Sequence, residues 1–308
     1  MKSEPNKTRK HHYVAQCLQR EFSFDGGNSI YGFDIRSRNA FVLSKPNVFK
    51  IEYNLQSKDM FLIDHIEDGK QYNLEDEFCR AENLFGKNIS TLNKIALADM
   101  ERDIPRLRDI LKNLTVYSFL DVMRNPLRLP ALAQSISSTN QTFQGHLYNA
   151  LSEPWLSNTP NIHTKLLAVA FERNDYIEVF NTLFTKTEAW VSSTLFCYTE
   201  NFLGNSGIAL SDYSVLEFNE NDGIVNYVSS ISNDKLLSIR IDTSLVLSIL
   251  SGNATTKKRR KYQPDIRVKV DNEKMLTAYN LLAIHCSRDR VFSNMKTIFG
   301  VYNYVPSE

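Results

Sequence analysis

Between about residues 74 and 187 of this 308-residue chain the apolar residues recur at helical spacing, and on either side they recur as in strands. That double change of period constrains the fold more than any other feature. In "LEDEFCRAENLFGKNISTLNKIALADM", Leu74, Phe78, Ala81, Leu84 and Phe85 fall on one helical face, which predicts a helix that buries them. "DIPRLRDILKNLTVYSFLDVMRN" repeats the pattern from Asp103, with Pro105 tolerated in the first turn, and "NPLRLP" breaks or kinks that helix. "IHTKLLAVAFER" and "DYIEVFNTLFTK" predict two more helices.

The flanks carry a different signal. Residues 1–10 read as a disordered basic tail, followed by a short helix at about Tyr13–Phe22. "FDGGNS" is a turn. "SIYGFDIRSRNAFVLS" reads as a strand pair bent at "DIRSRN", and "NVFKIEYNLQ" as a further strand. After Trp190, "WVSSTLFCYTEN", "GIALSDYSVLEFN", "IVNYVSSIS" and "LLSIRIDTSLVLSIL" are rich in Val, Ile, Thr, Tyr and Phe and read as strands, with "SLVLSIL" open to a short helix instead. "DNEKMLTAYNLLAIHCSR" predicts a helix capped by Asp271, and "DRVFSN" a last strand. The expected fold class is α+β. A β-rich start (11–60) and a β-rich end with a closing helix (190–308) join into a single domain over 1–308, with a helical layer (about 74–187) inserted between them.

Composition sets the outer bounds. Apolar residues are 42% and charged residues 23%, as in globular domains, and the net charge is +1, so no bulk field draws the chain to nucleic acid or membrane. No apolar run approaches the roughly 20 residues that span a bilayer. No apolar signal-peptide core follows the polar start. Cys17, Cys79, Cys197 and Cys286 lie far apart with no CxxC pair, which predicts reduced thiols and a cytoplasmic location. The sequence holds no GxxxxGK[ST] loop, no GxSxG elbow and no GxGxxG after a strand, which argues against a P-loop ATPase, a serine hydrolase and a Rossmann dehydrogenase.

Chemistry-bearing residues concentrate near the two ends. The chain has six histidines, and two of them, His11 and His12, are adjacent in "KHHYVAQCLQREFS". Histidine serves as general acid, general base or metal ligand, and here it also reads as a residue that orders the N-terminus. Gln16 and Arg20 lie four apart with His12 one step before them, so the three predict one polar stripe, and Leu18 and Phe22 a buried one. Arginine suits bidentate phosphate contact, and equally a salt bridge to a carboxylate. Asp212 follows the apolar "GIAL" and reads either as an acid/base group or metal ligand or as a turn cap. Asn280 and Arg288, on or just past the closing helix, read first as structural hydrogen-bonding residues. Lys257, Lys258, Arg259, Arg260 and Lys261, beside Tyr262, are a candidate phosphate-binding loop or a solvated one.

The opening stretch resembles the hallmark of the family domain of unknown function 4238, a pattern close to HHYxPQ followed by a leucine, a basic residue and a phenylalanine. His11, His12, Tyr13, Gln16, Leu18, Arg20 and Phe22 fit it, and Ala15 stands where the family has proline. "LEDEFCRAENLFGKNISTL" is similar to the family's helix opening on an acidic pair, and "MRNPLRLP" to its Arg-x-Pro segment. "GIALSDYSVLEF" is similar to its TSDNP-type strand end, with Tyr213 and Ser214 replacing Asn-Pro. "YNLLAIHCSRDRVFS" is similar to its closing helix and strand. The resemblance implies an association with bacterial defence or mobile elements and no settled activity.

Two functions compete at this point. One is a nuclease-like effector acting on RNA or DNA. In it His11 or His12 is general base, or a ligand of a divalent metal together with Asp212, and Arg20 and Arg288 stabilise the charge of the transition state. The other is a sensor or binding module that recognises a partner protein of a defence system. An enzyme predicts that His12, Arg20, Asp212 and Arg288 share one cleft.

Overall fold

The structure is a computed structural model that describes residues 10–12, 14–35, 42–58, 62–65, 70–73, 75–126, 128–139, 141–153, 156, 162–173, 188–213, 215–219, 224–245 and 263–303. In chain order the elements are β1 (Lys10–His12), α1 (Gln16–Arg20), β2 (Ser29–Asp34), β3 (Val42–Leu43), β4 (Asn47–Lys50), a 3-10 turn (Ile51–Tyr53), β5 (Gln56–Lys58), β6 (Leu62–His65), β7 (Lys70–Asn73), α2 (Glu75–Leu92), α3 (Leu97–Met100), α4 (Ile104–Arg124), α5 (Arg128–Thr139), α6 (Gln141–Leu151) and α7 (Ile162–Arg173). There follow β8 (Trp190–Cys197), α8 (Glu200–Leu203), β9 (Leu210–Ser211), β10 (Val215–Asn219), β11 (Ile224–Ser232), β12 (Lys235–Asp242), β13 (Asp265–Val270), α9 (Glu273–Cys286), β14 (Arg290–Ser293) and β15 (Tyr302–Asn303). The α+β class and the helical layer between β-rich segments are as the sequence predicts. The expected basic tail through residue 9, the helix over 175–186 and the basic loop over 257–261 lie outside the described residues.

Two sheets organise the molecule. One has the order β10-β11-β12-β8-β13, antiparallel except for the parallel pair β13 and β8. The other, with the order β4-β2-β14-β9, is antiparallel and draws β2 and β4 from the start of the chain and β9 and β14 from its end. The two ends are therefore stitched by backbone hydrogen bonds, with Phe33 opposite Val291 and Gly32 opposite Phe292.

The helical layer packs on the five-stranded sheet through α4. Ser118 Oγ lies 3.3 Å from Ser229 Oγ, and Phe119 meets Tyr227 edge-on. On α9, the Tyr279 hydroxyl donates to Ser230 Oγ and accepts from Ser230 N. Ser229 and Ser230 are consecutive on β11, so their side chains point to opposite faces. Helix α4 therefore covers one face and α9 the other. That double cover explains why β11 is buried continuously from Tyr227 to Ser232 rather than in alternation.

Local departures from the sequence reading have physical causes. Among the described residues of the run over 29–44, β2 pairs with β4 and β14, and β3 pairs with β15. "NVFKIEYNLQ" is interrupted by the 3-10 turn. Leu84 is exposed, while Phe78, Ala81 and Phe85 are buried. The cap of α9 is Asn272, whose Oδ1 accepts from Met275 N. Asp271, one residue earlier at φ 49°, turns its carboxylate to Thr199 instead, accepting from its N–H and its hydroxyl.

Candidate functional site

His12 ends β1, whose backbone pairs it with Gln56, and His11 sits opposite Ser57 in the same ladder. Three residues on, Ala15 caps α1 at φ −57° and ψ 140°. These are dihedrals to which proline is locked, so the alanine in place of the family's proline leaves the backbone path intact. The turn between β1 and α1 brings His12, Gln16 and Arg20 into one row. Gln16 Nε2 lies 3.4 Å from His12 Nδ1 and 3.3 Å from His12 Nε2, and Arg20 Nη2 donates to Gln16 Oε1 at 2.9 Å. His12 is buried, Gln16 half-buried and Arg20 exposed, so the row climbs from the interior to the surface. Leu18 and Phe22 are buried on the other side, as their spacing predicts.

An ion pair whose charges act on His12, and which the sequence reading did not single out, joins α2 to α4. The Arg124 guanidinium, 2% exposed, is paired with the Glu82 carboxylate and lies 4.7 Å from the centre of the Phe78 ring. Burial first, and the nearby Arg124 charge second, lower the His12 pKa below its ordinary 6.5, while the backbone of Glu52 and Ile51 and the Glu82 charge oppose them. The imidazole is therefore neutral at pH 7 and available as a base. Cys17 sits in the same environment, 3.7 Å from the Tyr117 hydroxyl, and burial pushes its thiol up to about 12. At neutral pH it is a protonated thiol and no nucleophile. Gln19 also escaped the sequence reading: fully buried, it donates to Val14 O and accepts from Asn54 Nδ2, which fastens α1 to the 3-10 turn.

Asp212 performs the turn-cap role. Its Oδ1 accepts from Arg288 N at 3.0 Å, and its Oδ2 from Asp289 N at 3.1 Å and Arg290 N at 3.4 Å, which shapes the loop into β14. Burial raises its carboxyl above the ordinary range, and the three N–H groups pull the other way. The Arg288 side chain is 67% exposed and lies 3.9 Å from the Asp289 carboxylate. Asn280 is a latch, accepting from Ala209 N and donating to Phe299 O. Among the described residues no hydrogen bond or ion pair joins His12 to Asp212 or Arg288, and no three His, Cys, Asp or Glu side chains converge as a metal site.

Beyond the shared sheet, the segment that closes α4 links the surroundings of His12 to the Asp212 loop. The Arg124 charge acts on His12, and the next residue, Asn125, donates to the Asp212 carbonyl at 2.8 Å. Arg128 pairs with Glu217 and lies 4.5 Å from the centre of the Tyr213 ring. His163 Nε2 contacts the Met123 carbonyl at 2.9 Å. The sequence carried a signal for this hub. Ile110, Leu114, Tyr117, Asp121 and Arg124 continue one helical stripe, so two charged residues extend an apolar face, and all five are buried.

No curated protein and no solved structure matches the chain. A family described as Protein of unknown function (DUF4238) matches residues 10–297, a span that runs from β1 through β14 and takes in the histidine row, the Glu82–Arg124 pair and the Asp212 loop. With nearly its whole length matched, the chain belongs to the DUF4238 family.

Proposed function

We propose that the protein is a nuclease-like phosphodiesterase of the bacterial defence or toxin type, acting on RNA or DNA in the cytoplasm. The observation that carries this reading is the His12–Gln16–Arg20 row: a neutral, buried imidazole held beside an amide whose other end is held by an exposed arginine. In this reaction His12 takes the proton of the attacking hydroxyl or water. Arg20 binds the phosphate and offsets the charge that grows on it, and Gln16 keeps the two in register. Burial is the main influence on the imidazole, and the charges of the Glu82–Arg124 pair act on it in opposite directions. A divalent metal remains compatible with the chemistry, with His12 as the described candidate ligand. None of the described helices is long and apolar enough to cross a membrane, which fits a substrate met in the cytoplasm.

A second reading, a sensor or protein-binding module of a defence or mobile-element system, draws on the Asp212 and Asn280 geometry. Both residues spend their polar atoms on backbone, as a scaffold requires. Expression in a bacterial host separates the two. The enzyme reading expects growth arrest by the wild type and relief by His12→Ala at equal protein level. Equal growth of the two strains, or equal arrest, removes His12 from catalysis.

A further inference from the structure

We infer that the surface beside Arg20 is a stacking platform for a base of single-stranded nucleic acid, an inference that deepens the phosphodiesterase reading by naming its substrate class. Phe24 is 39% exposed, and its ring stacks on Tyr31 at 4.2 Å with an interplanar angle of 19°. Apolar rings on a surface are ordinary singly, but a stacked pair ringed by cations is not what burial alone produces. Lys296 Nζ lies 5.9 Å from the centre of the Tyr31 ring. On β4, Val48 pairs with Tyr31 and Lys50 with Ser29, so Val48 and Lys50 stand on the same sheet face as Tyr31. Val48 is 60% exposed, and Lys50 is exposed as well. The loop that carries Phe24 folds back on α1: a Cβ on Gly27 would lie 3.8 Å from Arg20 Cγ.

Charge selects the occupant. Three exposed cations lie about this aromatic step: Lys296 near the Tyr31 ring, Lys50 on the same sheet face, and Arg20 against the Gly27 turn of the loop that carries Phe24. One neighbouring carboxylate, Asp25, is turned to its own loop, where its Oδ1 accepts from Asn28 N and Ser29 N. Aromatic faces flanked by cations are the recognition chemistry of unpaired bases with their phosphates, because every base has a π-face and every linkage a negative charge. A duplex offers stacked bases that cannot reach the rings. A base on Phe24 extends the Phe24–Tyr31 stack and brings its neighbouring phosphate toward Arg20, the outer end of the row.

The test is fluorescence anisotropy of labelled single-stranded oligothymidylate and oligouridylate, with the matching duplexes as competitors. Wild-type protein is expected to bind the single strands and prefer them to duplex. Phe24→Leu, which keeps an apolar side chain but no ring, is expected to weaken binding roughly tenfold. Lys296→Ser is expected to lower the salt slope by about 0.7. His12→Asn is expected to leave binding unchanged, which separates this inference from the catalytic reading. Single-strand binding without cleavage sustains the platform and defeats the enzyme, whereas cleavage with unaltered binding by Phe24→Leu defeats the platform. No binding by folded wild type, or equal affinity for duplex, overturns it.

Discussion

At the scale of single residues, several polar groups are spent on holding backbone. Asp212 is one of them. Its carboxylate accepts three backbone N–H groups at the entry to β14, and an amide in its place would set N–H against N–H. Asp212→Asn is expected to cost about 2 kcal/mol of unfolding free energy, measured by urea denaturation. Loss of activity at unchanged stability would instead make it a reacting group. His163 is buried and contacts the Met123 carbonyl, and burial pulls its pKa down to about 4. Because the folded value is depressed, the unfolded chain binds the proton first. Stability from this group is complete above about pH 6.5 and falls as the pH drops toward 4, by about 3 kcal/mol across that window. Urea titrations of wild type and His163→Gln over that range are expected to diverge by this slope. Parallel curves would show that the group titrates normally.

At the scale of elements, legibility followed the strength of local periodicity. Helices α2, α4 and α9 and strands β8, β11 and β12 were readable, since each carries enough periodic residues to declare its type. The pairing of β2 with β14 was not, because a register between the two ends of a chain leaves no local trace. The α9 cap was misplaced by one residue because Asp271 and Asn272 are both good caps, and only the positive φ at Asp271 and its bonds to Thr199 decide between them. The Glu82–Arg124 pair joins α2 to α4 across 42 residues, and only the charged positions on the apolar stripe of α4 hinted at it. In the shared sheet, Gly32 is required by a close approach. A Cβ there would meet Phe49 Cε2 at 2.6 Å and Phe292 Cε1 at 3.0 Å. Phe49 cannot swing away freely, with Arg290 over its ring at 4.8 Å and Phe292 edge-on at 5.9 Å. Gly32→Ala is expected to destabilise by about 1–3 kcal/mol, with partial recovery when Phe49→Leu is added. Unchanged thermal unfolding of the single variant would mean the sheet relaxes around the methyl group.

At the scale of the whole molecule, the organisation answers why polar motifs sit at both ends of the sequence. The ends share a sheet, and the close of α4 bears on both, with the Arg124 charge acting on His12 and Asn125 donating to the Asp212 carbonyl. Part of the polar pattern is thereby explained as architecture: Asp212 and Asn280 hold the chain together, as Gln19 does. What architecture leaves unexplained is the row that rises from His12 to an exposed Arg20 beside an aromatic step. The central claim is that this row is catalytic, and its most direct test is cleavage of a labelled single-stranded oligonucleotide by purified protein as a function of pH. The account predicts cleavage by the wild type with the acid limb of kcat/KM below pH 6.5, as the lowered His12 pKa requires, and loss of cleavage in His12→Asn with Tm kept within a few degrees. Absence of cleavage by folded wild type, or cleavage with the same pH profile in His12→Asn, would contradict it.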